Sequence, residues 1–402
     1  MSVKIYADER YTAYLTGELA RADDKARDLT KLGGVHLDNA VVAVDIKTSA
    51  YGIFDADGKL VDASLKYRGD RHQFIPKPSV FQNPEYRDED VIYLGNIYPH
   101  FGHFLLEHLD RAWAYVRMRG KKPRVLFINN QNLPVPGWVY GFMKMLGISE
   151  SDVIILTRST RFRHVIVPQQ SFFMARHVHP EFIETFRRMA KNVKNPARTY
   201  DRVYLSRDKL SANRTYGEAY IQNIFKKNGF HIVYPETLPL DQQVAIVKNA
   251  RVLAGCAGTA LHLALFMRPG GTVIQLKRNT QTEDSSYDQY MLNQVAGHNS
   301  VFVTASVEPH RTRHSDTIPQ IIGGTDALRR FLDDNGYKYT ARDLTLPDTA
   351  WDEYYAALAE FRQKNGGIFY KHVKSLAIKI VAAFVPGRVN RRRVRHWLKD
   401  HL

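Results

Sequence analysis

The chain has 402 residues, of which 44% are hydrophobic and 24% charged, and its formal net charge is +16. This composition is typical of a folded globular protein and excludes general disorder. Its one cysteine, Cys256, excludes an intramolecular disulfide and a four-thiolate zinc site. No run approaches the roughly 18 apolar residues that cross a bilayer. Residues 1–5 lack the apolar segment of a secretory signal, so we expect a cytoplasmic protein.

Residues 1–195 are predicted to form a first α/β domain, because strand-like runs alternate with helical ones. Strand-like runs occur within Val41–Ile46 and Tyr51–Leu65, and the further predicted strands are Val91–Leu94, Arg124–Ile128 and Val153–Leu156. Asp57-Gly58 is a typical hairpin turn. Helices are predicted from about His100 to Arg119 and near Trp138–Leu146.

A polar segment at 190–200, which contains Pro196, is predicted to link this domain to a second one at 196–345. Apolar runs and helical runs then alternate regularly. The predicted strands are Val203–Ser206, His231–Tyr234, Arg251–Gly255 and Thr272–Leu276, and the predicted helices are Gly217–Asn228, Leu240–Ala250 and Thr259–Met267. Short apolar strands separated by helices indicate a parallel sheet with right-handed crossovers.

The turn Gly255–Leu261 follows one of these strands and begins a helix. Gly255 and Gly258 permit a close approach to a ligand, and the N–H groups at a helix start suit a phosphate. Arg207 and Lys209 follow a neighbouring strand, where two cations would neutralise a diphosphate. The alternative is that the glycines only make a tight joint, because G-x-x-G is neither a dinucleotide fingerprint nor a P-loop.

The segment His100–Arg111 concentrates residues with catalytic chemistry. On a helix, His100, His103, Glu107 and either Asp110 or Arg111 would share one face. Three interpretations stay open: a transition-metal site formed by His100, His103 and Glu107, a structural role, or general-base chemistry. In the third interpretation, Glu107 deprotonates a hydroxyl and His103 or Asp110 orients it or binds the acceptor.

Two Asp-x-Asp strings suggest the metal site of a different transferase fold. Asp55-Ala-Asp57 lies in the predicted hairpin turn, where Asp is an expected residue. Asp88-Glu-Asp90 is predicted to be a solvated loop. We expect neither string to bind a metal.

Several motifs together resemble family 61 glycosyltransferases. Gly95-Asn-Ile-Tyr-Pro-His-Phe-Gly-His-Phe-Leu-Leu-Glu107 resembles the family's G-N-x-x-H-F-L-x-[DE], and Tyr204-Leu-Ser-Arg207 its Y-[IL]-S-R. Gly229-Phe-His-Ile-Val-Tyr-Pro-Glu236 and the run from Phe266 to Leu276 resemble two further motifs in the family's order. The resemblance covers residues 91–276.

This resemblance implies an α/β fold of the GT-B type, in which two Rossmann-like domains face each other across a cleft. It implies an inverting transfer of a hexosyl, pentosyl or N-acetylhexosaminyl group from a nucleotide sugar, with UDP the expected nucleotide and without metal or other cofactor. Glu107 is the expected base, with His103 and Asp110 beside it. The other expected site residues are Arg207, Lys209, Gly255, Gly258, Thr259 and Ala260 for the donor, and Asn96 and His100 for the acceptor. The alternative function is a non-catalytic nucleotide- or carbohydrate-binding protein that kept the fold.

The chain departs from the family at two positions. Where the family has His-Gly-Ala, this chain has Cys256-Ala257-Gly258-Thr259. The family's histidine, which we expect to contact the donor, is therefore absent from this sequence. The acidic residue of the final motif is replaced by Gln275. These changes leave the identity of the donor open.

The C-terminal part, 346–402, is predicted to form helices with a basic tail. Residues 371–402 contain nine Lys or Arg and one acidic residue. Their net charge of +8 is half of the +16 of the whole chain. An apolar stripe at helical spacing precedes the arginines, a pattern that favours an anionic membrane surface over nucleic acid. The alternative is a tail packed on the body of the enzyme. We therefore expect a peripheral protein on the inner face of the cell membrane, acting on a capsule-type surface polysaccharide or a glycolipid, with no nucleic-acid partner.

Overall fold

The computed structural model describes residues 1–27, 31–68, 71–120, 122–210, 215–278, 286–308 and 318–364. Two large sheets with helices packed against them give a mixed α/β fold, as the sequence predicts. The predictions about the basic tail at 371–402 fall outside the described residues. None of the helices in the described ranges is long and apolar enough to cross a membrane.

The elements are numbered in chain order. The strands are β1 (Val3–Tyr6), β2 (Gly34–Asp38), β3 (Val41–Asp45), β4 (Ala50–Phe54), β5 (Tyr67–Arg68), β6 (Arg71–His72), β7 (Glu85–Asn96), β8 (Arg124–Ile128), β9 (Val153–Leu156), β10 (Thr160–Pro168), β11 (Phe172–Phe173), β12 (His177–Val178), β13 (Arg202–Leu205), β14 (Thr215–Tyr216), β15 (His231–Val233), β16 (Val252–Cys256), β17 (Thr272–Lys277), β18 (Asn299–Thr304) and β19 (Gln320–Ile321).

The α-helices are α1 (Glu9–Arg27), α2 (Phe101–His103), α3 (Ala112–Arg117), α4 (Gly137–Met145), α5 (Phe182–Asn192), α6 (Glu218–Lys227), α7 (Leu240–Val247), α8 (Ser286–Ala296), α9 (Asp326–Asp334) and α10 (Ala341–Leu344). A further helical run covers 348–364. Phe104–His108 is a π-helix, and 3₁₀ segments occur at Asp62–Ser64, Pro78–Val80, Glu150–Asp152, Pro235–Thr237 and Thr259–Phe266.

One sheet is fully parallel and has the strand order β1-β18-β17-β16-β13-β15. Its central strands are buried on both faces, which is why they read in the sequence as short apolar runs. The predicted strands β13, β15, β16 and β17 are confirmed to within one residue at either end. The carboxyl ends of β13, β16 and β17 lie side by side, and open parallel sheets place their ligands at this edge.

The other sheet is mixed, with the order β4-β3-β10-β7-β8-β9 and β2 paired to β10. β10, β7, β8 and β9 are parallel, whereas β2, β3 and β4 pair in antiparallel fashion. The turn at Asp57-Gly58 is present, with Gly58 at φ 80° and the Asp55 side chain accepting backbone hydrogen bonds. The predicted loop at Asp88–Asp90 is wrong: these residues belong to β7, and Arg163 of β10 pairs with both aspartates.

The N-terminal strand belongs to the sheet of the second predicted domain rather than to that of the first. β1 pairs in parallel with β18 at the edge of the parallel sheet, and α1 packs against α8. Residues 3–27 therefore accompany the second sheet, although the sequence groups them with residues 1–195. The predicted linker, 190–200, begins in the last residues of α5 and ends just before β13.

An apolar core continues from one sheet's helices to the other's. Phe266, at the end of the 3₁₀ segment after β16, stacks on Phe142 of α4 and meets Phe186 of α5 edge-on. Buried residues from both halves form one hydrophobic cluster. This packing fixes the position of the turn after β16 relative to the segment after β7.

Candidate active site

The two segments that carry the sequence motifs meet at Gly102 and Thr259. A Cβ atom on residue 102 would lie 2.2 Å from Thr259 Cγ2 and 2.9 Å from Thr259 Cβ. A residue other than glycine therefore fits at position 102 only if the Thr259 side chain shifts. The segment His100–Arg111 and the turn Gly255–Leu261 therefore lie side by side.

The segment His100–Arg111 leaves β7 as a short, irregular helix. His100 caps α2, with its Nδ1 accepting a hydrogen bond from the His103 N–H at 3.4 Å. The helix widens into the π-helix Phe104–His108, is interrupted at 109–111 and continues as α3. π-Helical turns occur frequently at functional sites.

The prediction of one helix from His100 to Arg119 with a single polar face is wrong. Phe104 packs against Trp138 and Phe142 at ring distances of 5.0 and 5.7 Å, and the residues on either side of Glu107 are also buried. Because residues 104–111 are all buried in the core, the conformation of this part follows tertiary packing rather than an amphipathic period.

His103 and Glu107 form a close pair. His103 Nδ1 lies 2.5 Å from Glu107 Oε2, and Lys66 Nζ lies 3.5 Å from the other carboxylate oxygen. The His103 side chain is 28% exposed, whereas that of Glu107 is 1% exposed. The histidine is thus the member of the pair that a bound molecule can reach, and the carboxylate orients its ring from behind.

The two predicted acceptor residues differ in exposure. His100 is exposed, and its ring centroid lies 4.6 Å from that of His103. Asn96 is buried at the end of β7, where its side chain accepts a hydrogen bond from Tyr51 Oη at 3.0 Å and donates one to Asn130. The surroundings of Asn96 indicate support of the segment, whereas His100 is open to a ligand.

Asp110 is fully buried behind Glu107. Its Oδ1 lies 3.4 Å from Nη1 of Arg111, which is also buried and donates hydrogen bonds to the carbonyl oxygens of Ala63, Leu65 and Pro168. Burial raises the pKa of Asp110 to about 7, against the opposing influence of Arg111 and Lys66. Through Arg111, the pair anchors the histidine segment to two stretches of backbone, Ala63–Leu65 and Pro168.

Two glycines shape the predicted donor turn. A Cβ on Gly255 would lie 2.7 Å from the Leu205 carbonyl oxygen of β13, and one on Gly258 would lie 2.2 Å from Nη1 of Arg207. The first glycine permits close packing of β16 on β13, and the second lets the Arg207 guanidinium lie against the turn. The residues Ala257–Ala260 are partly exposed. The turn continues as a 3₁₀ segment rather than as the predicted helix.

Three cations follow strands of the parallel sheet at the edge where this turn lies. Arg207 is half-buried, and its Nε makes no hydrogen bond to a described residue. Lys209 is exposed and lies 4.3 Å above the ring of Tyr234. Arg278, which our sequence reasoning did not select, directly follows β17 and donates to Thr215 Oγ1 at 3.2 Å. The rule that led to Arg207, a cation just past a strand end, applies equally to Arg278.

A buried polar cluster lies beneath the turn. Tyr204 Oη donates to Glu218 Oε1 at 3.2 Å and lies 3.9 Å from Cys256 Sγ. Burial raises the pKa of Glu218, and Arg207 opposes the shift. Burial also raises the pKa of the Cys256 thiol well above its ordinary value, so this residue is a neutral packing group.

His262 is a second residue that the motif analysis did not select. It follows the turn in the 3₁₀ segment, is 7% exposed, and its Nδ1 lies 3.0 Å from Gln289 Oε1. Burial lowers the pKa of His262 to about 4, with His103 and His100 adding to the shift against the hydrogen bond to Gln289. The two histidines of the first half thus exert an electrostatic influence on a histidine of the second.

Comparison with known proteins identifies the family to which this arrangement is similar. Residues 101–274 match the family model described as Glycosyltransferase 61. The match supports a family 61 glycosyltransferase. It begins at the histidine segment and ends in β17, and so includes both sides of the Gly102–Thr259 contact. The comparison with curated proteins gave no match.

Among the residues that the structure describes, no group of three or more His, Cys, Asp or Glu side chains could hold a metal ion. A cavity of about 1000 Å³ lies between α4 and α7, where Trp138, Asn192 and Leu240 are among its lining residues. It contains none of the predicted site residues.

Proposed function

We propose that this chain is an inverting glycosyltransferase that transfers a sugar from a nucleotide donor to a hydroxyl group of a glycan or glycolipid. The observation that carries the proposal is the contact between Gly102 and Thr259. It joins a histidine–carboxylate pair to a glycine turn flanked by arginines. Inversion requires a base and a stabilised leaving group on opposite sides of one carbon, and the two segments supply these functions.

His103 acts as the base in this proposal, and Glu107 orients it. The 2.5 Å contact between His103 Nδ1 and Glu107 holds the ring with Nε2 directed away from the carboxylate. The acceptor hydroxyl transfers its proton to His103 Nε2 as its oxygen forms a bond to the anomeric carbon. The sequence favours Glu107 as the base, but its 1% exposure favours the more accessible His103.

The bond between the anomeric carbon and the diphosphate oxygen breaks in the same step, and the nucleoside diphosphate leaves with the electron pair. Arg207, Arg278 and the N–H groups of the Gly258–Ala260 turn stabilise the charge that develops on it. Lys209, near the same edge, adds to the positive potential. In this proposal protein groups alone stabilise the leaving group, without a metal ion. UDP is the nucleotide that we expect in the donor.

The proposed architecture is GT-B, with the mixed sheet on the acceptor side and the parallel sheet on the donor side. The parallel sheet, with its ligand edge turned to the histidine segment, supports this assignment. The basic residues of 371–402 support docking to anionic lipid at the inner face of the membrane. There the enzyme would meet the lipid-linked acceptors from which surface polysaccharides or glycolipids are built.

A thermal-shift screen against UDP-, GDP-, CMP- and dTDP-linked sugars tests the proposal at its first step. We expect one nucleotide class to raise the melting temperature and its sugar to be transferred to an acceptor of the surface-glycan type. ¹H NMR of the product should then give the anomeric configuration opposite to that of the donor. Retention of configuration would exclude the single-displacement mechanism, and absence of binding to every nucleotide sugar would exclude the function.

A further inference from the structure

His262 shares a face of its helical segment with Thr259. Residues three apart eclipse each other in a 3₁₀ helix, so Thr259 and His262 project in the same direction. Thr259 contacts Gly102 of the histidine segment. His262 therefore lies one turn deeper at the same junction, which agrees with the electrostatic influence of His100 and His103 on its ring.

A buried chain of hydrogen bonds fixes the tautomer of His262. Gln289 Nε2 donates to the Leu261 carbonyl oxygen at 3.4 Å and to Asn293 Oδ1 at 2.9 Å, and Asn293 in turn donates to Ser300 Oγ. A carbonyl oxygen can only accept, so the amide nitrogen of Gln289 must face Leu261 and its oxygen must face His262. His262 Nδ1 consequently carries the proton and donates to Gln289 at 3.0 Å.

The opposite nitrogen of the ring, Nε2, then carries a lone pair. Among the described residues, His262 makes its hydrogen bond through Nδ1 to Gln289. Its pKa of about 4 keeps the ring neutral at physiological pH. A neutral imidazole with a fixed tautomer has a single acceptor atom that points in one direction. Such an atom favours a ligand that places an O–H or N–H group there.

We infer that His262 is a specificity-determining residue whose Nε2 accepts a hydrogen bond from a hydroxyl group of the donor sugar. This inference rests on the proposed function and deepens it. The donor is favoured over the acceptor because His262 lies on the segment that continues directly from the Gly258–Ala260 turn. The phosphates at that turn would place the attached sugar between it and His103.

His262→Asn is the most informative variant. An asparagine side-chain nitrogen can take the place of Nδ1 and keep the hydrogen bond to Gln289, but it has no atom at the position of Nε2. Affinity for a UDP-linked sugar should fall about fivefold to tenfold, the effect of one neutral hydrogen bond. Affinity for UDP alone should stay the same, because UDP lacks the sugar. Isothermal titration of both probes, without acceptor, measures the two affinities.

A second measurement does not depend on ligand or activity. Long-range ¹H–¹⁵N NMR of the wild type should identify His262 as the neutral tautomer with the proton on Nδ1. A proton on Nε2 would overturn the inference, and so would equal affinity of His262→Asn and the wild type for the UDP sugar. A raised KM for the acceptor with unchanged donor affinity would also overturn it. If the wild type binds UDP but no nucleotide sugar, the proposed function fails, a result distinct from each of these.

Discussion

Gly102 lies against Thr259, so the histidine segment after β7 touches the glycine turn after β16. These two segments are far apart in the chain and follow strands of different sheets, and in the proposed mechanism each supplies one half of the chemistry of glycosyl transfer. Their contact places a histidine–carboxylate pair and an arginine-lined turn at one junction.

Gly102→Ala should destabilise the protein. The added Cβ would lie 2.2 Å from Thr259 Cγ2, and overpacking of this kind costs about 1–3 kcal/mol in free energy of unfolding. The double variant with Thr259→Ala removes Cγ2 and should recover part of the loss. Gly17→Ala is a matched control, because Gly17 is also helical and a Cβ there meets no atom within 4 Å. Urea unfolding of Gly102→Ala, Thr259→Ala, the double variant and Gly17→Ala beside the wild type measures the coupling. Independent effects at positions 102 and 259 would contradict the contact.

Asp110→Asn should change the pH dependence of stability. Burial raises the pKa of Asp110 from 3.8 to about 7, so between about pH 4 and 7 the folded state holds a proton that the unfolded chain releases. The stability due to this proton is complete below about pH 4 and is lost as the pH rises to about 7.

Asparagine does not titrate, so the variant should gain stability relative to the wild type as the pH rises through this window. The expected gain is on the order of a few kcal/mol. Unfolding free energies at pH 5, 6, 7 and 8 check this prediction, and a constant difference between the two proteins would refute it.

Arg207→Gln should weaken binding of the donor nucleotide about tenfold to a hundredfold, because a charge-assisted contact with the diphosphate is lost. The affinity of the variant should also depend less on salt concentration. Arg329→Gln removes the same charge at an exposed position, where the side chain pairs with Asp326. Titration with UDP should detect a loss for the first variant only, and equal losses would mean that net charge rather than the site governs binding.

Deletion of residues 371–402 should abolish binding to anionic membranes. The segment supplies nine of the basic residues, and each contributes about 1 kcal/mol of attraction near an anionic surface. Co-sedimentation with phosphatidylglycerol vesicles measures the binding, with phosphatidylcholine vesicles as the comparison. If the truncated chain sediments as well as the full chain, the tail has no membrane role.

The sequence predicts the parallel sheet well because strands buried on both faces read as apolar runs. It also predicts that Arg207 and Gly258 follow strand ends at one edge of this sheet, and the structure places both there. The irregular helix after β7 escapes prediction, since Phe104 and Glu107 are both buried and no amphipathic period survives. The place of β1 in the parallel sheet could not be predicted, because its partner β18 is almost 300 residues away in the sequence. His262 becomes a candidate only in the folded structure, where His103 influences its pKa.

The most direct test of the central claim compares turnover of His103→Ala and Glu107→Gln with that of the wild type. A general base contributes about 10²-fold to 10⁴-fold, so kcat should fall by this factor in His103→Ala and substantially in Glu107→Gln. The dissociation constant of the donor should remain within about twofold of the wild-type value, because the phosphates bind at the other side of the junction.

His164→Ala provides the matched control. His164 is also 28% exposed, and its Nδ1 lies 2.7 Å from a carboxylate, that of Asp38, but on the surface of the mixed sheet. We predict full turnover for this variant and the loss described above for the other two. Wild-type turnover in His103→Ala and Glu107→Gln would contradict the assignment of this pair as the catalytic centre.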